Sequence, residues 1–241
     1  MKKLKLGFTL AEVATALAIV GIIAAMVMPL LTKNLQKQQA GPTLGRAVEQ
    51  ITLGNQNMLQ YANQILAESG SQTDVLSALQ VRDINNDPEL AADVANVYII
   101  DDIDTLISSI RAYWALEHDE ISAEEVLEVK EFDGTIAADT YAAMISGDAK
   151  RYNFSKLPAS IAIAESPVLP AEANLDALDR QLGYLVFVDT TGWVNGPNTF
   201  GKDIFAFRLI NNGTLRPLTG LDNGLEFTES IVRAGFRIDY Y

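Results

Sequence analysis

Residues 1–31 read MKKLKLGFTLAEVATALAIVGIIAAMVMPLL, and the reading of this stretch decides the fold. Lys2, Lys3 and Lys5 come first, and from Val13 to Leu31 there is no charged residue. Positive charge beside an apolar span is retained on the cytoplasmic side, so the remainder of the chain is expected on the far side of the membrane. At about 1.5 Å per residue, a helix over residues 8–31 is roughly 36 Å long, enough to cross a hydrocarbon core of about 30 Å. Glu12 stands at the head of this run. An ionised side chain at the edge of lipid is costly unless paired, and such residues are usually functional.

Three plain readings compete. A secretory signal peptide has an apolar stretch of about 7–15 residues and a small-residue cleavage site; here the run is longer, and PLLTK at 29–33 offers no such site. A single-pass anchor fits the length but leaves Glu12 without a reason. Thr9-x-x-Glu12 also fits a capping box, in which both side chains satisfy amides at a helix start.

The string GFTLAEV, from Gly7 to Val13, resembles the cleavage and methylation signature of type IV pilins and type II secretion pseudopilins. Gly21 and Pro29 stand where that family's helix carries a glycine and a kinking proline. The resemblance implies that a prepilin peptidase cuts between Gly7 and Phe8 and that the new amino terminus of Phe8 is methylated. It also implies assembly with other pilin or pseudopilin subunits by an inner-membrane platform with its ATPase. In that setting Glu12 neutralises the terminal amine of a neighbouring subunit. Two such charges attract strongly where water does not screen them, although desolvation offsets part of the gain.

Composition narrows the rest. Eighteen Lys and Arg against 31 Asp and Glu give a net charge of −13, which disfavours direct binding to nucleic acid. There is no cysteine and one histidine, His118, so disulfides, thiol catalysis and a His-rich metal site are excluded. No G-x-S-x-G elbow, phosphate loop, dinucleotide fingerprint or H-E-x-x-H occurs, and no enzyme is expected.

Beyond Leu31 helical spacing continues through Leu44, Ala47, Val48, Ile51, Met58, Leu59, Ala62, Ile65 and Leu66, interrupted around Gly54 and Asn55. Gly41-Pro42 is expected to kink or loosen this helix. The reading divides the chain into a leader, 1–7, a long helix, 8–66, with its transmembrane part at 8–31, and a head, 67–241. Between Asp83 and Asp133 fifteen acidic residues face only Arg111 and Lys130, and short helices with acidic outer faces are expected there. DINNDPEL, 83–90, resembles a calcium loop, but Pro88 and Val94 stand where an EF-hand needs glycine and glutamate. His118 is read as an exposed helix-end residue.

From Tyr152 onward SIAIAES, YLVFVDT, DIFAFRLI and VRAGFRIDYY read as strands, with a hairpin turn at Asn212-Gly213. The fold class is therefore α+β. A long N-terminal helix packs on a C-terminal antiparallel sheet, as in pilins, with acidic helices between. The segment FVDTTGWVNGPNTFGKDIFAF, 187–207, is similar to a pattern in the heads of prepilin-type proteins, and Thr191 departs from an asparagine in that pattern. Major pseudopilins bind calcium in a head-domain loop, and Asp189, Asn195, Asn198 and Asp203 are suitable oxygen donors. Structural hydrogen bonding in turns explains the same residues.

The expected function is a structural subunit of a type IV pilus-like or secretion pseudopilus filament, anchored in a bacterial inner membrane with its head extracytoplasmic. The filament would stand in the periplasm or at the cell surface. The alternative is a membrane-anchored binding module that shares only the leader.

Overall fold

The computed structural model describes residues 10–69, 81–83, 98–100, 103–165, 184–209, 215–218 and 223–238. The chain is α+β. It begins with one helix, α1, Leu10–Ser69, and divides into two compact units, Met1–Gln39 and Ala40–Tyr241. The helix runs without a break through Pro29, Gly41-Pro42 and Gly54. A proline removes one backbone hydrogen bond, and around Pro42 the buried Ala40, Leu44, Ala47 and Ile51 hold the helix in place. The expected end near Leu66 falls at Ser69.

After a short antiparallel pair, β1 (Val81–Asp83) and β2 (Tyr98–Ile100), come α2 (Ile103–Trp114) and α3 (Thr140–Ser146). The side chain of Asp139 caps α3 by accepting from the Ala142 amide at 2.8 Å. Five strands follow: β3 (Lys150–Asn153), β4 (Ser160–Glu165), β5 (Tyr184–Asp189), β6 (Ile204–Leu209) and β7 (Leu215–Pro217). They pair antiparallel in chain order. Ser160 lies opposite Asp189, and Asp189 opposite Ile204.

Every residue of β5 is buried, because both faces of the sheet are covered. Ile161, Ile163, Val186, Val188, Phe205 and Phe207 form a core with Leu44, Ala47 and Ile51 of α1 and with Ile110 and Trp114 of α2. Their alternate neighbours, among them Ala162, Leu185, Phe187, Ile204 and Ala206, pack with Ile121, Tyr141, Ile145, Trp193 and Phe200. The period of two in each strand separates these two layers.

The break in the apolar pattern at Gly54-Asn55 is where α2 meets α1. A Cβ on Gly54 would lie 2.6 Å from the Tyr113 carbonyl oxygen. Beside it, Trp114 Nε1 donates to Asn55 Oδ1 at 2.7 Å, and both residues are buried.

Of the expected strand VRAGFRIDYY, residues 239–241 lie outside the described residues, and Val232 and Arg233 instead end a helix, α4, Phe227–Arg233. Thr228 and Ile231 form its buried side. The amides of Gly235 and Phe236 bond back to Val232 and Ile231, with Gly235 at φ +67. This is a Schellman ending that the Ala-Gly-Phe triplet encodes. The turn at Asn212-Gly213 and the motif from 84 to 90 lie outside the described residues, while β6 and β7 pair as the hairpin requires. His118 is exposed beyond the end of α2, and its carbonyl accepts from Arg111 Nη1 at 3.3 Å.

Candidate functional site

In the N-terminal unit, Glu12 lies in the first turn of α1 and is exposed. With Val13, Ala16, Leu17 and Val20 it lines a shallow depression of about 360 Å³ on one helix face. Leu10–Met28 is long and apolar enough to cross a membrane, and none of it is buried. Leu10 itself is 90% exposed. The Thr15 hydroxyl donates to the Ala11 carbonyl oxygen at 2.8 Å, so it asks nothing of the surroundings. Gly7 and Phe8, the expected processing residues, and Thr9, on which the capping-box reading depends, lie outside the described residues.

In the second unit, residues 190–203 join β5 to β6 and fold back on residues 127–130. The Leu127 amide donates to the Trp193 carbonyl, Lys130 to that of Asn198, and Phe200 to that of Lys130. Gly192 and Gly201 adopt φ of +89 and +72, which glycine takes without a side-chain penalty. A Cβ on Gly201 would also meet the Gly224 carbonyl oxygen at 2.4 Å. Asn198, at φ +50, donates its amide to the carbonyls of Leu127 and Trp193, each at 2.9 Å.

Two carboxyl groups close the base of this loop. Asp189 Oδ1 accepts from the Thr191 amide at 2.8 Å, the Thr191 hydroxyl at 2.9 Å and the Gly192 amide at 3.1 Å. Asp203 Oδ1 accepts from the Thr199 amide at 2.6 Å. Asp203 Oδ2 lies 3.1 Å from the same Thr191 hydroxyl. That hydroxyl has one proton and two carboxylate oxygens within reach, so it can donate to only one of them.

Both acids are buried. Burial, then the charge of Asp203, pushes the Asp189 carboxyl up to about 7, against the hydrogen bonds from Thr191 and Gly192. Burial likewise raises Asp203 to about 6, against the hydrogen bonds from Thr199 and Thr191. Protonation of either acid removes one of two adjacent buried charges.

Of the four expected calcium donors, the fold brings Asp189 and Asp203 together. Asn198 is buried nearby in the same loop, but Asn195 is exposed and turns its amide to the Thr191 carbonyl at 3.4 Å. Asp189 Oδ2 and Asn198 Oδ1 are buried without a hydrogen-bond partner among the described residues. These oxygens suit a hard cation in kind, which in the case of calcium takes six to eight oxygen ligands. Among the described residues no group of three or more His, Cys, Asp or Glu could hold a metal. Sequence reasoning did not count Thr191 among the site residues, yet its hydroxyl lies between the two acids.

Compared with known proteins, the chain matches no family model, and neither a curated protein nor a solved structure is similar to it.

Proposed function

We propose that this chain is a structural subunit of a type IV pilus-like or type II secretion pseudopilus filament. Prepilin peptidase matures it after Gly7, and it is held in a bacterial inner membrane with its head outside the cytoplasm. One observation carries the reading. A single helix, Leu10–Ser69, places an unburied apolar stretch headed by Glu12 before a stretch that buries Leu44, Ala47 and Ile51 against an antiparallel sheet. In an isolated subunit the first stretch is apolar surface that demands lipid or other helices. In a filament the helices of neighbouring subunits supply that cover, and Glu12 pairs with the methylated amine of Phe8 on the next chain. The subunit does no chemistry in this reading. Protonation or calcium relieves the buried charge of the pair formed by Asp189 and Asp203, and the loop stays folded.

Mass spectrometry of the protein recovered from its membrane tests the processing. The expected amino terminus is methylated Phe8. An amino terminus at Met1, or a cut beyond Leu31, contradicts the reading.

A further inference from the structure

Two surfaces on opposite faces of the sheet match each other in chemistry. Over the core that contains α1, a groove of about 710 Å³ runs between that helix and the chain after α4, with Arg46, Val48, Glu49, Leu53, Phe236 and Arg237 in its lining. Gly41 and Gly45 admit Phe236 to the helix surface. A Cβ on Gly45 would come within 3.1 Å of the Phe236 ring, and one on Gly41 within 2.2 Å of its carbonyl oxygen. Val48 and Phe236 pack against the first core cluster, Leu53 is 52% exposed, and Arg46 and Arg237 are exposed around them.

Across the sheet, over the second core cluster with Ile121, Val129 and Trp193, lies the other surface. Leu127 and Val194 are 47% and 48% exposed there, joined by the hydrogen bond from the Leu127 amide to the Trp193 carbonyl at 3.0 Å. Exposed Glu124, Glu125 and Glu128 surround Leu127 in the chain.

We infer that the groove receives the Leu127 and Val194 patch of a second copy of this chain, with Arg46 and Arg237, which outnumber the exposed Glu49 in the lining, facing the carboxylates around that patch. The inference rests on the filament reading and names the head surfaces that would set its register. In a chain of net charge −13, copies repel unless a basic surface meets an acidic one, and such complementarity fixes partner and register. The two surfaces are different and lie on opposite faces of the sheet, so the contact is heterologous. Each copy then leaves one surface open for the next, which builds a helical array where the rotation does not close.

The absence of cysteine makes the test direct. The full chain carrying Leu53→Cys with Val194→Cys is produced with its assembly machinery and treated with a short bismaleimide. Trimers and longer ladders are expected from the double variant and only monomers from either single one. Dimers from a single variant would mean that like surfaces meet, which overturns the proposal. Arg46→Glu with Arg237→Glu in the double-cysteine chain should cut the ladder about tenfold. Adding Glu124→Lys with Glu128→Lys should restore it, an outcome that misfolding would not give. Failure of the charge exchange to restore the ladder, in a chain whose unfolding midpoint is unchanged, also overturns it. If the unsubstituted chain assembles but the double variant gives no ladder, the docking surfaces are wrong and the filament reading stands. If the unsubstituted chain does not assemble, both fall.

Discussion

Raising the pH from 5 to 8 should destabilise the head through Asp189 and Asp203. Both carboxyls are raised in the folded protein, to about 7 and about 6, because burial disfavours their charge. The folded state therefore binds more protons than the unfolded state between the ordinary carboxylate range and about pH 7. Under linkage the stabilisation is fully present below the unfolded value and is lost as pH rises through the folded one. For a single site moved from 3.8 to about 7, the loss between pH 5 and pH 8 is about 3 kcal/mol at 1.36 kcal/mol per unit. The two acids titrate as a coupled pair, so the figure is given for Asp189 alone and a second loss is not simply added. In a domain of this size that is a fall of roughly 5–10 °C in midpoint. Fluorescence of Trp114 and Trp193, both fully buried, reports the unfolding in detergent micelles. Asp189→Asn keeps the Oδ1 acceptor for the Thr191 and Gly192 amides while removing the charge, so its slope with pH should be at most half that of the parent. A parent midpoint that is flat or rises between pH 5 and 8, or an equal slope in the variant, refutes the reasoning.

Two further outcomes follow from the same geometry. If calcium replaces the proton on Asp189 and Asp203, millimolar calcium at pH 7.5 raises the unfolding midpoint of the parent and not of Asp189→Asn, because a ligand that binds only the folded state stabilises it; an unchanged parent midpoint leaves the proton as the neutraliser. Asn55→Leu removes the acceptor for Trp114 Nε1 between α1 and α2, and the stranded buried donor should cost about 1–3 kcal/mol in urea unfolding, with a loss below about 0.5 kcal/mol counting against that contact.

Much of the architecture is legible in the sequence because local pattern and burial agree. SIAIAES, YLVFVDT and DIFAFRLI are short apolar runs, and each forms a strand at the expected place. The run from Leu44 to Ile51 keeps its apolar period on the face that packs against the sheet. Other parts were misread where one residue type serves two ends. Gly54-Asn55 looked like a fault in a helix and is the contact with α2. Arg-Ala-Gly-Phe reads as part of a strand, yet its glycine ends a helix. Lys150–Asn153 was missed as a strand because Lys150 and Arg151 break the apolar alternation; Arg151 is buried by donating to the carbonyls of Ile121, Ile145 and Gly147. In the candidate site, the resemblance offered Asp189, Asn195, Asn198 and Asp203 as oxygen donors, but the pairing of Asp189 with Asp203 across residues 190–203 depends on how that loop folds. A hydroxyl bridging two acids leaves no periodic signal.

The most direct measurement of the central claim is filament assembly by Glu12→Gln. The amide keeps the shape and some capping ability of the carboxylate, so membrane insertion and processing to methylated Phe8 should be unchanged by mass spectrometry. Filaments sheared from cells, or secreted cargo if the filament is a short pseudopilus, should be lost or strongly reduced, because the amine of the neighbouring chain is left unpaired in lipid. A capping role alone predicts a loss of at most about 2 kcal/mol of helix stability with assembly little changed. Normal assembly by the processed Glu12→Gln chain would contradict the role given to this residue.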